Sequence, residues 1–161
     1  MIVIVMGVTG SGKTTVGTLL AEQLGWKFAD ADSFHSAANV EKMRRGIALD
    51  DADRAPWLAA MHAAMGQWSA ENQNAVLACS ALKGSYRGTL ATGLDVKFVY
   101  LKGSYEVIYQ RLISRHGHFA TEKILRSQFQ TLEEPNDAIV VDVSQPPERI
   151  VSEIRRNLNL A

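Results

Sequence analysis

Residues 7–14 read Gly7-Val8-Thr9-Gly10-Ser11-Gly12-Lys13-Thr14, between the apolar run Ile2-Val3-Ile4-Val5 and an amphipathic stretch from Lys13 to Leu24. A strand, a glycine-rich turn and a helix in that order match the pattern G-x-x-x-x-G-K-[ST] at every fixed position. Glycines let the backbone curl until several N–H groups point inward, and the helix N-terminus adds partial positive charge. The product is a cradle for the phosphates of a nucleotide. The binding residues read from it are Gly7, Val8, Thr9, Gly10, Ser11, Gly12, Lys13, Thr14 and Thr15. Lys13 is expected to reach the β- and γ-phosphates, and the Thr14 hydroxyl to ligate the Mg²⁺ that bridges them.

Beyond this loop, short β-branched runs alternate with longer amphipathic stretches, as in βα units around a parallel sheet covered on both faces. Strands are predicted at Ile2 to Val5, Lys27 to Asp30, Ala75 to Cys79, Lys97 to Leu101 and Ala138 to Asp142. Leu58, Met61, Met65 and Trp68 fall on one helical face and are assigned to the core. Ile150, Val151, Ile154 and Leu158 mark a C-terminal helix opened by Pro146 and Pro147. The expected fold is a three-layer α/β domain with five parallel strands. No repeat, low-complexity tract or linker interrupts residues 1–161, so one domain is expected.

Composition narrows the function. A chain of 161 residues can bury about 70% of its unfolded surface without a disulfide or structural metal. Lys plus Arg and Asp plus Glu each total 17, so no global basic field draws it to nucleic acid or anionic lipid. No run approaches the length of a membrane span. The single Cys79 has no partner within the chain, which fits a reducing, cytoplasmic setting.

The second predicted strand runs into Asp30-Ala31-Asp32. On an extended backbone, carboxylates two residues apart point to the same side. Ligands of such sheets gather beyond the carboxyl ends of the strands, where both acids would face the phosphates. Asp30 is assigned to the metal, through water, and Asp32 to the acceptor hydroxyl as general base or orienting group.

The residues that follow, His35, Asn39, Lys42, Met43, Gly46 and Leu49-Asp50-Asp51-Ala52-Asp53-Arg54-Ala55-Pro56-Trp57, then Cys79-Ser80-Ala81-Leu82-Lys83, Tyr86, Arg87, Gly117-His118-Phe119, Ser127-Gln128-Phe129, Leu132-Glu133 and Pro135, resemble the gluconate kinase family over almost the whole chain. Ala31, Ser36 and Ala120 depart from that pattern, at no charged position. The resemblance implies ATP-dependent phosphorylation of D-gluconate to 6-phosphogluconate on a nucleoside-monophosphate-kinase-like fold, often as a homodimer. A sugar acid needs a fixed cation and a row of donors. Arg54 suits the carboxylate because its planar fork can hold both oxygens. His35, Ser80, Lys83, Arg87 and His118 are further candidates; for Lys83 and Arg87 the rival reading is a solvated helix face. Cys79 reads as a small buried hydrophobe, since phosphoryl transfer needs no thiol nucleophile.

Arg111 and Arg115, four apart on a predicted helix, project from one face. Similarity to nucleoside-monophosphate kinases implies a lid at about residues 116–134, with Arg111 on the adenine and Arg115 clamping phosphate during transfer, beside Lys13 and Asp32 in the catalytic set. Shikimate kinase is the nearest rival, sharing the phosphate loop and the Asp-x-Asp pair. A switch GTPase is disfavoured because no Asn-Lys-x-Asp occurs.

Overall fold

The computed structural model describes residues 1–116 and 121–160. Five parallel strands form one sheet in the order β2-β3-β1-β4-β5. They are β1 (Ile2–Met6), β2 (Lys27–Asp30), β3 (Ala75–Ala78), β4 (Val96–Lys102) and β5 (Ile139–Asp142). Parallel neighbours require crossovers, supplied here by α1 (Lys13–Leu24), α2 (Ala37–Arg44), α3 (Asp51–Ala70), α4 (Gly84–Ala91), α5 (Tyr105–His116) and α6 (Thr121–Thr131), and α7 (Pro147–Asn157) follows the last strand.

β1 lies at the centre and is buried along its whole length, the expected state of a strand covered on both faces. Its side chains alternate between two cores. Val3 and Val5 join Val16 and Leu20 of α1 and Ile150, Val151 and Ile154 of α7. Ile2, Ile4 and Met6 join Trp57, Leu58, Met61 and Met65 of α3 with Tyr86 and Leu90 of α4. Burying a side chain of this size contributes roughly 1.5–3 kcal/mol over leaving it exposed. The predicted strands and the predicted helices α1 and α7 are present, with β4 a residue longer at each end and β3 ending at Ala78.

The main difference lies after β2. Asp32 is not on an extended backbone: Ala31–Phe34 form a 3₁₀ turn, capped by Asp30, whose Oδ1 accepts from the Asp32 N–H at 3.0 Å. A short acidic side chain at a strand end competes for its own downstream N–H, and here that bond closes the turn. The two acids are still brought together, by capping rather than by pleat. α2 is likewise not among the predicted helices.

Candidate active site

The segments following β1, β2 and β3 all emerge at the carboxyl edge of the sheet, where a parallel fold gathers its ligands. The first is the phosphate loop. Gly12 has φ +98 and opens α1, a conformation that residues with a Cβ avoid. At Gly10, with φ +79, a Cβ would also stand 2.6 Å from Leu112 of α5. Lys13 Nζ bridges the loop by donating to the Val8 carbonyl at 3.0 Å. Burial pushes the Lys13 ammonium below its ordinary range, and Asp32 and Asp30 oppose that shift. Thr14 and Thr15 are exposed at the start of α1. Within the loop, the Ser11 hydroxyl is buried without a partner.

The second segment adds the acids. Thr14 Oγ1 donates to Asp30 Oδ2 at 2.8 Å, joining the two expected metal contacts. Both are hard oxygen donors, suited to Mg²⁺. Among the described residues, no cluster of three or more His, Cys, Asp or Glu forms a protein cage for a metal. Asp32 is exposed beside this pair.

Past the 3₁₀ turn, His35 stacks on Trp57 with ring centroids 4.5 Å apart and an interplanar angle of 8°. Trp57 Nε1 donates to the Ala31 carbonyl at 2.8 Å, so the stack is pinned to the acidic turn. Burial lowers the His35 pKa, with Asp32 opposing that shift and Arg54 adding to it.

Arg54, near the start of α3, meets α4 through Tyr86. Arg54 Nη1 donates to the Tyr86 hydroxyl at 3.1 Å, and that hydroxyl donates to Asp51 Oδ1 at 2.6 Å. Lys83 Nζ lies 3.2 Å from the same Asp51 oxygen. The Tyr86 bond, then the Lys83 pair, hold the Asp51 carboxyl below its usual range. Both cations also sit near the Tyr86 ring, at 5.7 Å for Arg54 and 5.4 Å for Lys83. Two residues absent from the sequence assignment of the site, Asp51 and Tyr86, thus organise two that were in it.

Arg87 of α4 is anchored on backbone. Its guanidinium donates to the Ala81 carbonyl at 2.7 Å and the Glu133 carbonyl at 2.8 Å, so it braces backbone. Arg111 donates to the Val143 carbonyl beyond β5, and Arg115 is exposed one turn further along α5. His118 lies outside the described residues. Ser80 is half-buried after β3, its carbonyl accepting from the Gly7 N–H at 3.3 Å. Beside it, Cys79 is buried and its thiol is pushed up to about 12 by burial, a value at which it stays protonated and inert.

A family profile described as Shikimate kinase matches residues 9–159. A gluconokinase from Gluconobacter oxydans is 46% identical over 158 residues, covering 96% of this chain and 89% of the relative. The thermoresistant gluconokinase of Escherichia coli is 44% identical over 156 residues, covering 94% and 89%. The crystal structure of a gluconokinase from Sinorhizobium meliloti superposes with a TM-score of 0.85 at 40% identity, covering 98% of this chain and 94% of that one. Shikimate kinase from Aquifex aeolicus, at 19% identity and a TM-score of 0.59, shares the fold. Within the broad group of shikimate-kinase-like P-loop proteins, this chain belongs to the gluconokinase family.

Proposed function

We propose that this chain transfers the γ-phosphoryl group of ATP, taken with Mg²⁺, to the terminal 6-hydroxyl of D-gluconate. One observation carries the reading: Asp30 accepts both from Thr14 at the end of the phosphate loop and from the Asp32 N–H, while the Ala31 carbonyl between the two acids accepts from Trp57 of α3, the helix that also carries Arg54. An acidic turn thus joins a triphosphate cradle to the helix bearing a cation able to hold the acid group of a sugar acid.

In this reading Arg54 and Lys83, organised by Tyr86 and Asp51, bind the gluconate carboxylate and nearby hydroxyls, while His35 and Ser80 direct the chain of the sugar acid toward the phosphates. Asp32 accepts the proton of the 6-hydroxyl as that oxygen bonds to the γ-phosphorus and the bond to the β-phosphate oxygen breaks. Lys13, Arg115 and the loop amides offset the charge that shifts toward ADP. Arg111 contributes on the adenine side, and His118 is a further contact to the sugar acid. Thr14 and Asp30 would hold Mg²⁺, which neutralises charge on the β- and γ-phosphates when bound. A homodimer in the cytoplasm completes the reading. Relatives at 44–46% identity support the acceptor. Among the described residues no helix is long and apolar enough to cross a membrane.

The test is ADP production from Mg-ATP with gluconate, shikimate and AMP as parallel acceptors and Lys13→Ala as control. Turnover with gluconate that Lys13→Ala abolishes is the expected result; turnover with shikimate in its place would overturn the acceptor assignment. Within the same assay, Asp32→Asn is expected to lower kcat by about 10²- to 10⁴-fold if the carboxylate takes the proton. A fall smaller than about tenfold would reduce Asp32 to an orienting group.

A further inference from the structure

Contacts near the C-terminal end of α6 reach two separate parts of the site. Gln128 Oε1 accepts from the Thr9 N–H of the phosphate loop at 2.6 Å. Leu132, just past the helix, packs against both hydrophobic cores and so sits astride the sheet. The next residue, Glu133, makes three bonds to the segment after β3. Its N–H donates to the Leu82 carbonyl at 2.8 Å, its Oε1 accepts from the Gly84 N–H at 2.8 Å, and its carbonyl accepts from Arg87 Nη2 at 2.8 Å. Glu134 then pairs with Lys102 at the end of β4, at 3.0 Å.

These bonds replace ones the local sequence does not supply. Lys83, at the N-cap of α4, makes no side-chain capping bond, so Glu133 serves the first N–H of that helix from 49 residues away. Ala81 is held at φ +45, a region that residues with a Cβ seldom occupy, and its carbonyl is gripped by Arg87. The Ser80–Lys83 loop therefore keeps its shape through its neighbours. Arg87 contributes to this brace through both carbonyls.

We infer that the Gln128–Glu133 segment is a strut fixing the separation of the phosphate loop from the Ser80–Lys83 acceptor loop, with Gln128 and Glu133 as positioning residues for phosphoryl transfer. The inference rests on the proposed function for its catalytic consequence. Transfer requires the hydroxyl within near-attack distance of phosphorus, and a misplacement of about 1 Å can cost about 10²-fold in rate.

Hydrogen exchange on the intact chain and steady-state kinetics with Mg-ATP and gluconate, compared across Glu133→Ala, Glu133→Gln and Gln128→Ala, test it. Glu133→Ala is expected to speed exchange by about tenfold in the Ser80–Gly84 segment and also across Val8–Gly12, with Gln128→Ala showing the reciprocal effect. The kcat of Glu133→Ala should fall by about tenfold or more with the KM for ATP nearly unchanged, and Glu133→Gln, which keeps an acceptor oxygen, should recover most of the loss. Exchange changes confined to the mutated residue's own loop would overturn the strut, as would a Glu133→Gln enzyme as impaired as Glu133→Ala. If the unaltered protein fails to turn over gluconate, the proposed acceptor fails, while the exchange data alone still decide the strut.

Discussion

The Tyr86 hydroxyl works in both directions, donating to Asp51 and accepting from Arg54, while its buried ring lies near Arg54 and Lys83. Removing only that oxygen releases Arg54 from its fixed orientation and leaves the packing intact. Tyr86→Phe is therefore expected to raise KM for gluconate about tenfold with little change in kcat, matching the loss of one hydrogen bond to a charged group. An unchanged KM would remove Tyr86 from the arrangement of the site. His35 makes a different prediction. Burial lowers its pKa below the ordinary value, so between the folded and unfolded values the unfolded chain holds more protons and stability rises with pH. The contribution is intact above about pH 6.5 and is lost as pH falls through that value toward the folded pKa. His35→Gln should flatten the dependence of Tm on pH between about 7 and 5; an equal slope in both proteins would show that His35 does not govern it.

At the scale of elements, α3 carries both Trp57 and Arg54, and its start is set by a reciprocal cap. Asp50 Oδ1 accepts from the Asp53 N–H at 2.7 Å, and Asp53 Oδ2 accepts from the Asp50 N–H at 3.1 Å. Asp53 also pairs with Lys42 of α2 at 2.8 Å. Urea unfolding should find Asp50→Ala destabilised by about 1 kcal/mol, a typical cap loss, and Asp53→Ala by more, because it frees Lys42 as well. Equal costs would mean that the α2–α3 pair contributes nothing measurable. The same elements show what local sequence can and cannot reveal. β1 and α1 were legible because an apolar run, a glycine turn and an amphipathic repeat adjoin one another. α2 was not, since its Val40 and Met43 are exposed and leave no buried stripe to detect. The phosphate loop could be read from its motif, whereas Arg54 and Lys83 needed a family resemblance. Tyr86 with Asp51, and Gln128 with Thr9, escaped as partners because 35 and 119 residues separate them in the chain.

For the whole molecule, the alternation along β1 has a thermodynamic consequence. One strand supplies Val3 and Val5 to one core and Ile2, Ile4 and Met6 to the other, so neither core can dissolve while the sheet persists. The two should unfold as one unit, although a chain of 161 residues lies near the upper size for two-state behaviour. The tryptophans can tell: Trp26 packs against the first core, and Trp57 and Trp68 lie in the second. In urea, the fluorescence midpoint of Trp26→Phe, which reports the second core, is expected to coincide with its own circular-dichroism midpoint. Trp57→Phe/Trp68→Phe, which reports the first, should behave alike. Mg-ATP at 100 times its Kd should then stabilise both signals together by about 2.7 kcal/mol, because a ligand seated at the end of β1 draws on both sides of the sheet. Separated midpoints, or an ATP shift seen from one core alone, would mean that the sheet does not couple them. The strut from Gln128 to Glu133 would then have to carry the communication between phosphate loop and acceptor loop by itself.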